Sequence, residues 1–255
     1  VQRNTFLPVH KRKKGIMVAS GQGTGKTAAS SVCMIWRVIQ KVCEQGLVSA
    51  PTMRQVRDVW LAEADRRIRA SDPDFARLFK VGAQKITLLG MDKWVIKTAT
   101  ATKAENFQGY HSEGQTVLFD EASGIARDIW QTAKGTNTQQ DNMIIGIGNP
   151  NDRDTEFFDA FNKVRELYMC FNWSGEDSPN VSKKHIADME AEYGRDSDVF
   201  RVRVLGQFPL QSPTAIINYE DLLFAARGTS FNDKFKTRLP KEEAADVRQI
   251  GIDWA

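Results

Sequence analysis

Continuous apolar runs alternate with amphipathic stretches along the first two thirds of the chain. The runs have the length of single strands and lie at residues 16–19, 47–50, 116–119 and 143–147. Runs that are apolar at every position are typical of strands buried on both faces of a parallel sheet. The stretches with apolar residues at helical spacing are 26–44, 53–70 and 126–133. This alternation predicts an α/β fold with a mainly parallel sheet and helices on both faces.

The pattern changes in two other places. Segments 85–89 and 94–98 have strand composition around a short turn, which predicts a hairpin. The apolar core should end near Trp173, because the chain beyond it is more polar, with a helix expected at 176–193 and a second element at 198–207. We therefore expect a core domain at residues 1–173 and a small C-terminal lid subdomain at 174–226. A charged linker at 227–246 would lead to the start of another domain at 247–255.

A glycine-rich segment joins the first predicted strand to the first predicted helix. It consists of Ser20, Gly21, Gln22, Gly23, Thr24, Gly25, Lys26 and Thr27. Strand, glycine-rich loop and helix in this order are the context of a phosphate-binding loop, whose backbone N–H groups surround an anion at a helix N-terminus. Lys26 would reach the β- and γ-phosphates of ATP, and the Thr27 hydroxyl would bind Mg²⁺. Ser20 stands where the usual pattern has glycine.

Two adjacent carboxylates end the apolar run at 116–119. Asp120 and Glu121 follow the loop by about ninety-five residues, and acids at the carboxyl ends of parallel strands lie where open α/β sheets bind ligands. Asp120 is expected to bind Mg²⁺ as a Walker B aspartate does, and Glu121 to orient and activate water. The two motifs together indicate a P-loop NTPase of the additional-strand class, which includes motors, helicases and recombinases.

Composition narrows the class without naming a function. Charged residues make up 26% and apolar residues 41% of the 255 positions, which is ordinary for a soluble globular protein. No apolar run is long enough to cross a membrane. The three cysteines and three histidines have no spacing that suggests disulfides or zinc. The net charge of +3 permits contact with DNA but does not argue for it.

Beyond these motifs, the chain resembles the large terminase subunit of tailed bacteriophages and prophages, the motor that packages DNA. The resemblance rests on the order and spacing of several segments, which are 18–27, 49–52 with Gln55-Val56 and Trp60, 106–111, 118–125, 147–150, 176–179 and 201–209. It implies ATP hydrolysis that drives double-stranded DNA into a procapsid. It also implies Mg²⁺, a portal protein, a small terminase subunit, a homo-oligomeric ring on the procapsid, no membrane, and the cytoplasm of the bacterial host.

The resemblance also implies roles for single residues. Asn149 occupies the place of the coupling motif, where a polar side chain contacts the γ-phosphate; a turn that ends the strand is the alternative. Gln2 occupies the place of an adenine-reading glutamine, with a frayed terminus as the alternative. Many terminases have arginines where this chain has Gln22 and Gln108. The cation expected at the transition state must then come from elsewhere.

Four arginines are candidates for that cation within the chain, namely Arg127, Arg153, Arg201 and Arg203. A neighbouring subunit of a ring is the other source, and the one we favour. At the end of the chain, 247–255 resembles the first strand of the terminase nuclease domain, a ribonuclease-H-like fold. Asp253 would there be one of several ligands of two divalent metal ions. Nuclease activity is expected only in a longer protein.

Two other classes remain open from the sequence alone. One is another nucleic-acid-dependent P-loop ATPase, such as a helicase or recombinase. The other is an inactive prophage remnant that keeps the nucleotide fold without turnover. The presence of Lys26, Thr27, Asp120 and Glu121 argues against the remnant, and the lack of further nucleic-acid motifs after Asp120 argues against a helicase.

Overall fold

The computed structural model describes residues 13–40, 43–101, 114–139 and 141–211. The chain divides into two units, Val1–Pro209 and Leu210–Ala255, and all described helices and strands belong to the first. No helix in the described ranges is long and apolar enough to span a membrane.

Eight strands form one sheet. In chain order they are β1 (Gly15–Ser20), β2 (Gln45–Ala50), β3 (Phe79–Val81), β4 (Lys85–Leu88), β5 (Val95–Thr100), β6 (Thr116–Asp120), β7 (Met143–Gly148) and β8 (Tyr168–Trp173). The order across the sheet is β3-β4-β5-β2-β6-β7-β1-β8. Across the sheet, the six strands β5, β2, β6, β7, β1 and β8 pair in parallel. Strand β4 pairs antiparallel with β5, and β3 pairs antiparallel with β4 at the edge of the sheet. The predicted mainly parallel sheet and its hairpin, β4 with β5, are confirmed.

Helices cover both faces of this sheet. The helices are α1 (Lys26–Ile39), α2 (Ala62–Arg69), α3 (Pro73–Ala76), α4 (Arg127–Thr136), α5 (Glu156–Phe161), α6 (Lys183–Tyr193) and α7 (Asp198–Arg203). One apolar core joins α1 and α2 to the face of Val18 and Leu118. A second core joins α4 and α5 to the face of Met17 and Phe119. Neighbouring residues of β1 and β6 thus point into opposite cores, which explains why both strands are apolar throughout.

The region between β2 and α2 departs from the expected single helix at 53–70. Gln55–Leu61 is π-helical and runs into α2. Within it Trp60 is fully buried, and its indole N–H donates a 3.0 Å hydrogen bond to the Ser30 hydroxyl on α1. This bond satisfies the one polar group of a large buried side chain and fixes the segment against α1.

Other boundaries differ for local reasons. Helix α1 ends at Ile39 rather than near residue 44, and β2 begins at Gln45. Gly46 belongs to this strand and pairs with Ile96 and Thr116, and an added Cβ there would lie 2.7 Å from the Met34 side chain of α1. Sequence patterns missed β3, α5 and the strand character of β8. The predicted polar helix at 176–193 starts only at Lys183, where the Ser182 hydroxyl accepts a bond from the His185 backbone N–H and caps it.

Candidate nucleotide-binding site

The glycine-rich loop connects β1 directly to α1. Gly23 has a φ of 72° and Gly25, the residue before α1, has a φ of 91°, in the left-handed region that favours glycine. Helix α1 begins at Lys26 with no side chain capping its N-terminus. The N–H groups of its first turn therefore have no partner within the helix and form an anion site. This is the geometry expected of a phosphate loop.

The start of the loop is packed against the chain that follows α7. A Cβ on Gly21 would lie 2.4 Å from the Val204 carbonyl oxygen, so only glycine fits there. The backbone N–H of Gly21 donates to the Trp173 carbonyl at 2.9 Å, and that of Gln22 to the Arg203 carbonyl at 2.7 Å. Since these two N–H groups already have partners, the groups available to phosphate begin at Gly23.

Ser20 replaces the first glycine of the usual pattern without obstructing the loop. Its side chain is buried, and its hydroxyl lies 2.5 Å from the hydroxyl of Thr24. It also donates to the Gly21 carbonyl at 3.0 Å. The serine therefore braces the two ends of the loop. Sequence patterns gave no signal for this pairing.

Lys26, at the start of α1, is hydrogen-bonded to Asn149, which follows β7. The Lys26 ammonium donates 3.0 Å hydrogen bonds to the Gly21 carbonyl and to Oδ1 of Asn149. The Asn149 amide in turn donates to the Ser20 carbonyl at 2.8 Å. Burial lowers the pKa of Lys26, while the charges of Glu121 and Asp120 oppose this shift. Asn149 follows β7, which lies between β1 and β6, so the fold places it beside the loop.

Asp120 and Glu121 lie at the end of β6 on the same edge of the sheet. Asp120 is 3% exposed and its carboxylate accepts the Glu121 backbone N–H at 3.2 Å. Burial and the neighbouring charge of Glu121 raise the pKa of Asp120 to about 6. Glu121 has a φ of 52°, the only positive φ among described residues other than glycine. Such a backbone costs about 1–3 kcal/mol and is concentrated at functional sites.

The turn after Glu121 is held against the end of β7. The Ser123 hydroxyl donates to the Asn149 carbonyl at 2.6 Å. A Cβ on Gly148 would lie 2.8 Å from the Ala122 nitrogen, so the close approach requires glycine. The positions of Glu121 and Asn149 are therefore coupled through the backbone as well as through Lys26.

Oxygen ligands near the loop suit Mg²⁺. No cluster of three His, Cys, Asp or Glu side chains is placed to hold a metal within the described ranges. Magnesium beside a nucleotide needs fewer, since one or two carboxylates, phosphates and water complete its shell. The buried carboxylate of Asp120, with its raised pKa, has unfavourable charge that a cation would compensate. The residues present therefore fit the ion, and the Thr27 hydroxyl and the Asp120 carboxylate are the groups that could hold it.

An open cleft of about 600 Å³ lies beside the loop. Its lining includes Lys26, Thr27 and Glu121 on one side and Glu63 and Arg66 of α2 on the other. Nucleotide sites are of this size. A second cavity of about 340 Å³ adjoins Gln22 and Gly23 and includes Asn180 and His185. No sequence motif marked Glu63 and Arg66 of α2, Asn180, or His185 of α6.

The arginines proposed as transition-state cations are engaged elsewhere. Arg127 donates to Asp159 at 2.7 Å and to Asp154 at 3.0 Å, and these bonds raise the pKa of Arg127. The Arg153 guanidinium lies 5.1 Å from the centre of the Phe158 ring. Neither residue lines the two cavities.

The other two candidates lie on α7. The Arg203 guanidinium lies 6.0 Å from the centre of the Tyr193 ring, and the Arg203 carbonyl accepts the Gln22 backbone N–H. Nε of Arg201 is buried without a hydrogen-bond partner in the described structure, 3.9 Å from the Asp198 carboxylate. Neither lines the two cavities. Gln2, Gln108 and Asp253 lie outside the described residues.

Fold and site together define the class. A parallel strand, β7, stands between the loop strand β1 and the carboxylate strand β6, which is the arrangement of an additional-strand P-loop NTPase. The expected fold class is thereby confirmed.

Comparison with known proteins narrows this class. The chain is 25% identical over 226 residues to a probable terminase large subunit of Enterobacteria phage P7, an alignment that covers 82% of this chain and 45% of that protein. No protein-family model matches the chain. The resemblance to a large terminase subunit that the sequence motifs suggested is confirmed by this match and by the fold.

Solved structures give the same fold. The large terminase of a thermophilic bacteriophage superposes with a TM-score of 0.65 at 15% identity, covering 86% of this chain and 54% of that one. The structure of the same bacteriophage terminase in complex with ADP superposes with a TM-score of 0.60 at 16% identity, over 81% of this chain. The ATPase domain of the Thermus phage P74-26 large terminase superposes with a TM-score of 0.60 at 16% identity, covering 82% of this chain and 91% of the domain. The chain spans about half the length of the phage P7 protein and of the first of these terminases.

Proposed function

We propose that this chain is the ATPase portion of a large terminase subunit, which hydrolyses ATP to drive double-stranded DNA into a viral procapsid. The observation that supports it most is the hydrogen-bonded connection from Lys26 through Asn149 to Ser20. This connection joins the phosphate loop to the additional strand, beside a carboxylate pair. The sequence relative is described as a probable terminase large subunit, and the thermophilic bacteriophage terminase of the same fold was solved with ADP.

The residues act on ATP as follows. N–H groups from Gly23 onward and the Lys26 ammonium hold the β- and γ-phosphates. Bound Mg²⁺, held by Thr27 and Asp120, would neutralise phosphate charge. Glu121 accepts a proton from water as the water oxygen bonds to the γ-phosphorus. The bond from that phosphorus to the β–γ bridging oxygen breaks, and ADP leaves with the bridging oxygen.

Asn149 is suited to report on the γ-phosphate. Lys26 donates to Oδ1 of Asn149, and Nδ2 of Asn149 donates to the Ser20 carbonyl. A γ-phosphate would compete with Oδ1 for the Lys26 donor and with the Ser20 carbonyl for the Nδ2 donor of Asn149. Because Ser123 donates to the Asn149 carbonyl, that exchange reaches the turn of Glu121. This connection is our proposed route from phosphate release to movement.

The wider assembly is part of the proposal. The lid subdomain would comprise 174–226, the linker 227–246, and a nuclease domain with Asp253 and two divalent metals would begin at 247. Gln2 would contact adenine. Portal protein, small subunit and a ring of identical subunits on the procapsid would be the partners, in the host cytoplasm.

The test is phosphate release from ATP by the purified chain, with and without linear double-stranded DNA. Hydrolysis that DNA of any sequence stimulates supports the motor. Strand separation of duplex DNA would indicate a helicase instead. Binding of ATP without release of phosphate under either condition would indicate an inactive remnant.

A further inference from the structure

The cleft beside the phosphate loop contains a cation that the proposed mechanism does not use. Of the residues that line it, Lys26 and Arg66 carry positive charge, while Asp58, Glu63 and Glu121 carry negative charge. Lys26 lies at the floor and is buried. The Arg66 side chain is 61% exposed and lies on α2, across the cleft from the loop.

Glu63 holds this arginine in a defined position. Nε and Nη2 of Arg66 donate to the two oxygens of Glu63 at 2.8 and 2.7 Å, a bidentate pair. The Glu63 side chain is only 19% exposed, and it also accepts a 2.8 Å bond from Arg67. Two arginines share one carboxylate, so the group keeps a net positive charge. Within the described structure the side chain of Arg66 donates only to Glu63, which leaves Nη1 free.

The helix that carries the pair is fixed relative to the loop. Trp60, just before α2, donates to Ser30 on α1, and α1 begins at Lys26. The segment that ends at Leu61 is π-helical, a rare form that is frequent at functional sites. Arg66 and Lys26 therefore belong to one braced unit and face the same space.

The position of Glu121 tells which end of the nucleotide this space receives. Glu121 lines the cleft with Arg66, whereas the second cavity, on the side of Gln22 and His185, does not contain it. A water activated by Glu121 must lie next to the terminal phosphate. The cleft is thus the γ-phosphate side of the loop.

We propose, on the basis of the proposed ATPase function, that Arg66, positioned by Glu63, contacts the γ-phosphoryl group of bound ATP from within the same subunit. Guanidinium groups match phosphate oxygens geometrically. Such a contact distinguishes ATP from ADP, which lacks the γ-phosphate. It is independent of any arginine that a neighbouring subunit supplies in the transition state.

The test compares equilibrium binding of ATP-γ-S and of ADP, both with Mg²⁺, to the full chain. Arg66→Ala should weaken ATP-γ-S binding by about tenfold to a hundredfold, the loss of a hydrogen bond to a charged group, and leave ADP binding unchanged. Arg66→Lys keeps the charge and should fall between. Arg69→Ala is the matched control, because Arg69 lies on the same helix, pairs with Asp65 at 2.8 Å and does not line the cleft.

Three results would overturn the proposal. Unchanged ATP-γ-S binding in Arg66→Ala would remove Arg66 from the site. Equal losses of affinity for both nucleotides would mean that Arg66 contacts the α- or β-phosphate or only supports the fold. A thermal stability of the variant equal to that of the unmodified chain would indicate the phosphate contact, and a lower one would indicate the role in the fold. If the unmodified chain bound neither nucleotide, the proposed ATPase function would fail as well, which distinguishes that failure from the others.

Discussion

The Lys26 ammonium, at the start of α1, donates a hydrogen bond of 3.0 Å to Oδ1 of Asn149, which follows the end of β7. The two residues are 123 positions apart in the sequence. The bond exists because β7 pairs in parallel with β1, with Ala19 opposite Gly148. It makes the phosphate lysine and the proposed coupling residue one unit.

Replacement of the lysine should abolish ATP hydrolysis, mainly by weakening nucleotide binding. In Lys26→Ala the phosphates lose their buried cation, so ATP affinity should fall by at least about tenfold, the scale of one charged hydrogen bond, and turnover should become undetectable. Titration with a fluorescent ATP analogue measures the loss. Lys80→Ala, at an exposed position of β3, is the control, and wild-type turnover in Lys26→Ala would refute the site.

Replacement of the asparagine should affect coupling more than binding. Asn149→Ala removes the Lys26 partner and the bond to the Ser20 carbonyl. We expect ATP affinity to change by less than about tenfold, since the lysine still meets phosphate. Stimulation of hydrolysis by double-stranded DNA should disappear. Full stimulation in the variant would show that Asn149 only ends the strand.

Asp120 should make the metal-free protein less stable as pH rises. Its pKa is about 6 in the folded protein against 3.8 ordinarily, so between these values the folded state binds more protons than the unfolded state. The free energy of unfolding therefore falls with increasing pH in that window, by about 3 kcal/mol at most from this group. Asp120→Asn removes the effect.

The measurement is the melting temperature of both proteins from pH 4 to 7 in buffer with a chelator. The melting temperature of Asp120→Asn relative to the unmodified chain should rise across this range. A difference that stays constant with pH would mean that Asp120 is not destabilised by its surroundings.

The rate of ATP hydrolysis per subunit, measured over a dilution series of the protein, identifies whether the transition-state cation comes from the same subunit or from a neighbour. The four arginines first considered within the chain do not line either cavity, and a ring places one subunit's surface against the next subunit's site. If a neighbour supplies the cation, hydrolysis per subunit should rise with protein concentration. A rate that is fast and independent of concentration would place the cation within the same subunit.

Much of the sheet core could be predicted from the apolar pattern of the sequence, because strands buried on both faces must be apolar throughout. The order of β1, β6 and β7 could be inferred only through the motifs at their ends. Strand β3, with three residues, is too short to show a period. The π-helical turn at Gln55–Leu61 keeps a helical pattern of apolar residues, so its altered pitch is invisible in the sequence.

The site was predictable where single residues follow strands and loops, as with Lys26, Asp120 and Glu121. Arg66 and Glu63 were not, because an Arg three residues after a Glu on a helix is an ordinary surface ion pair. Their significance comes from the cleft that α2 shares with the loop. The same holds for the contact of Gly21 with Val204, which depends on tertiary packing alone.

If Glu121 activates water for hydrolysis at this loop, Glu121→Gln should stop hydrolysis without preventing ATP binding. The amide keeps the size of the side chain but cannot accept the proton. Binding of ATP and phosphate release should be measured on the same purified sample, beside the unmodified chain. We expect retained ATP binding with hydrolysis reduced by about 10²–10⁴-fold. Lost ATP binding with residual hydrolysis would contradict it and make Glu121 a structural or metal-binding group.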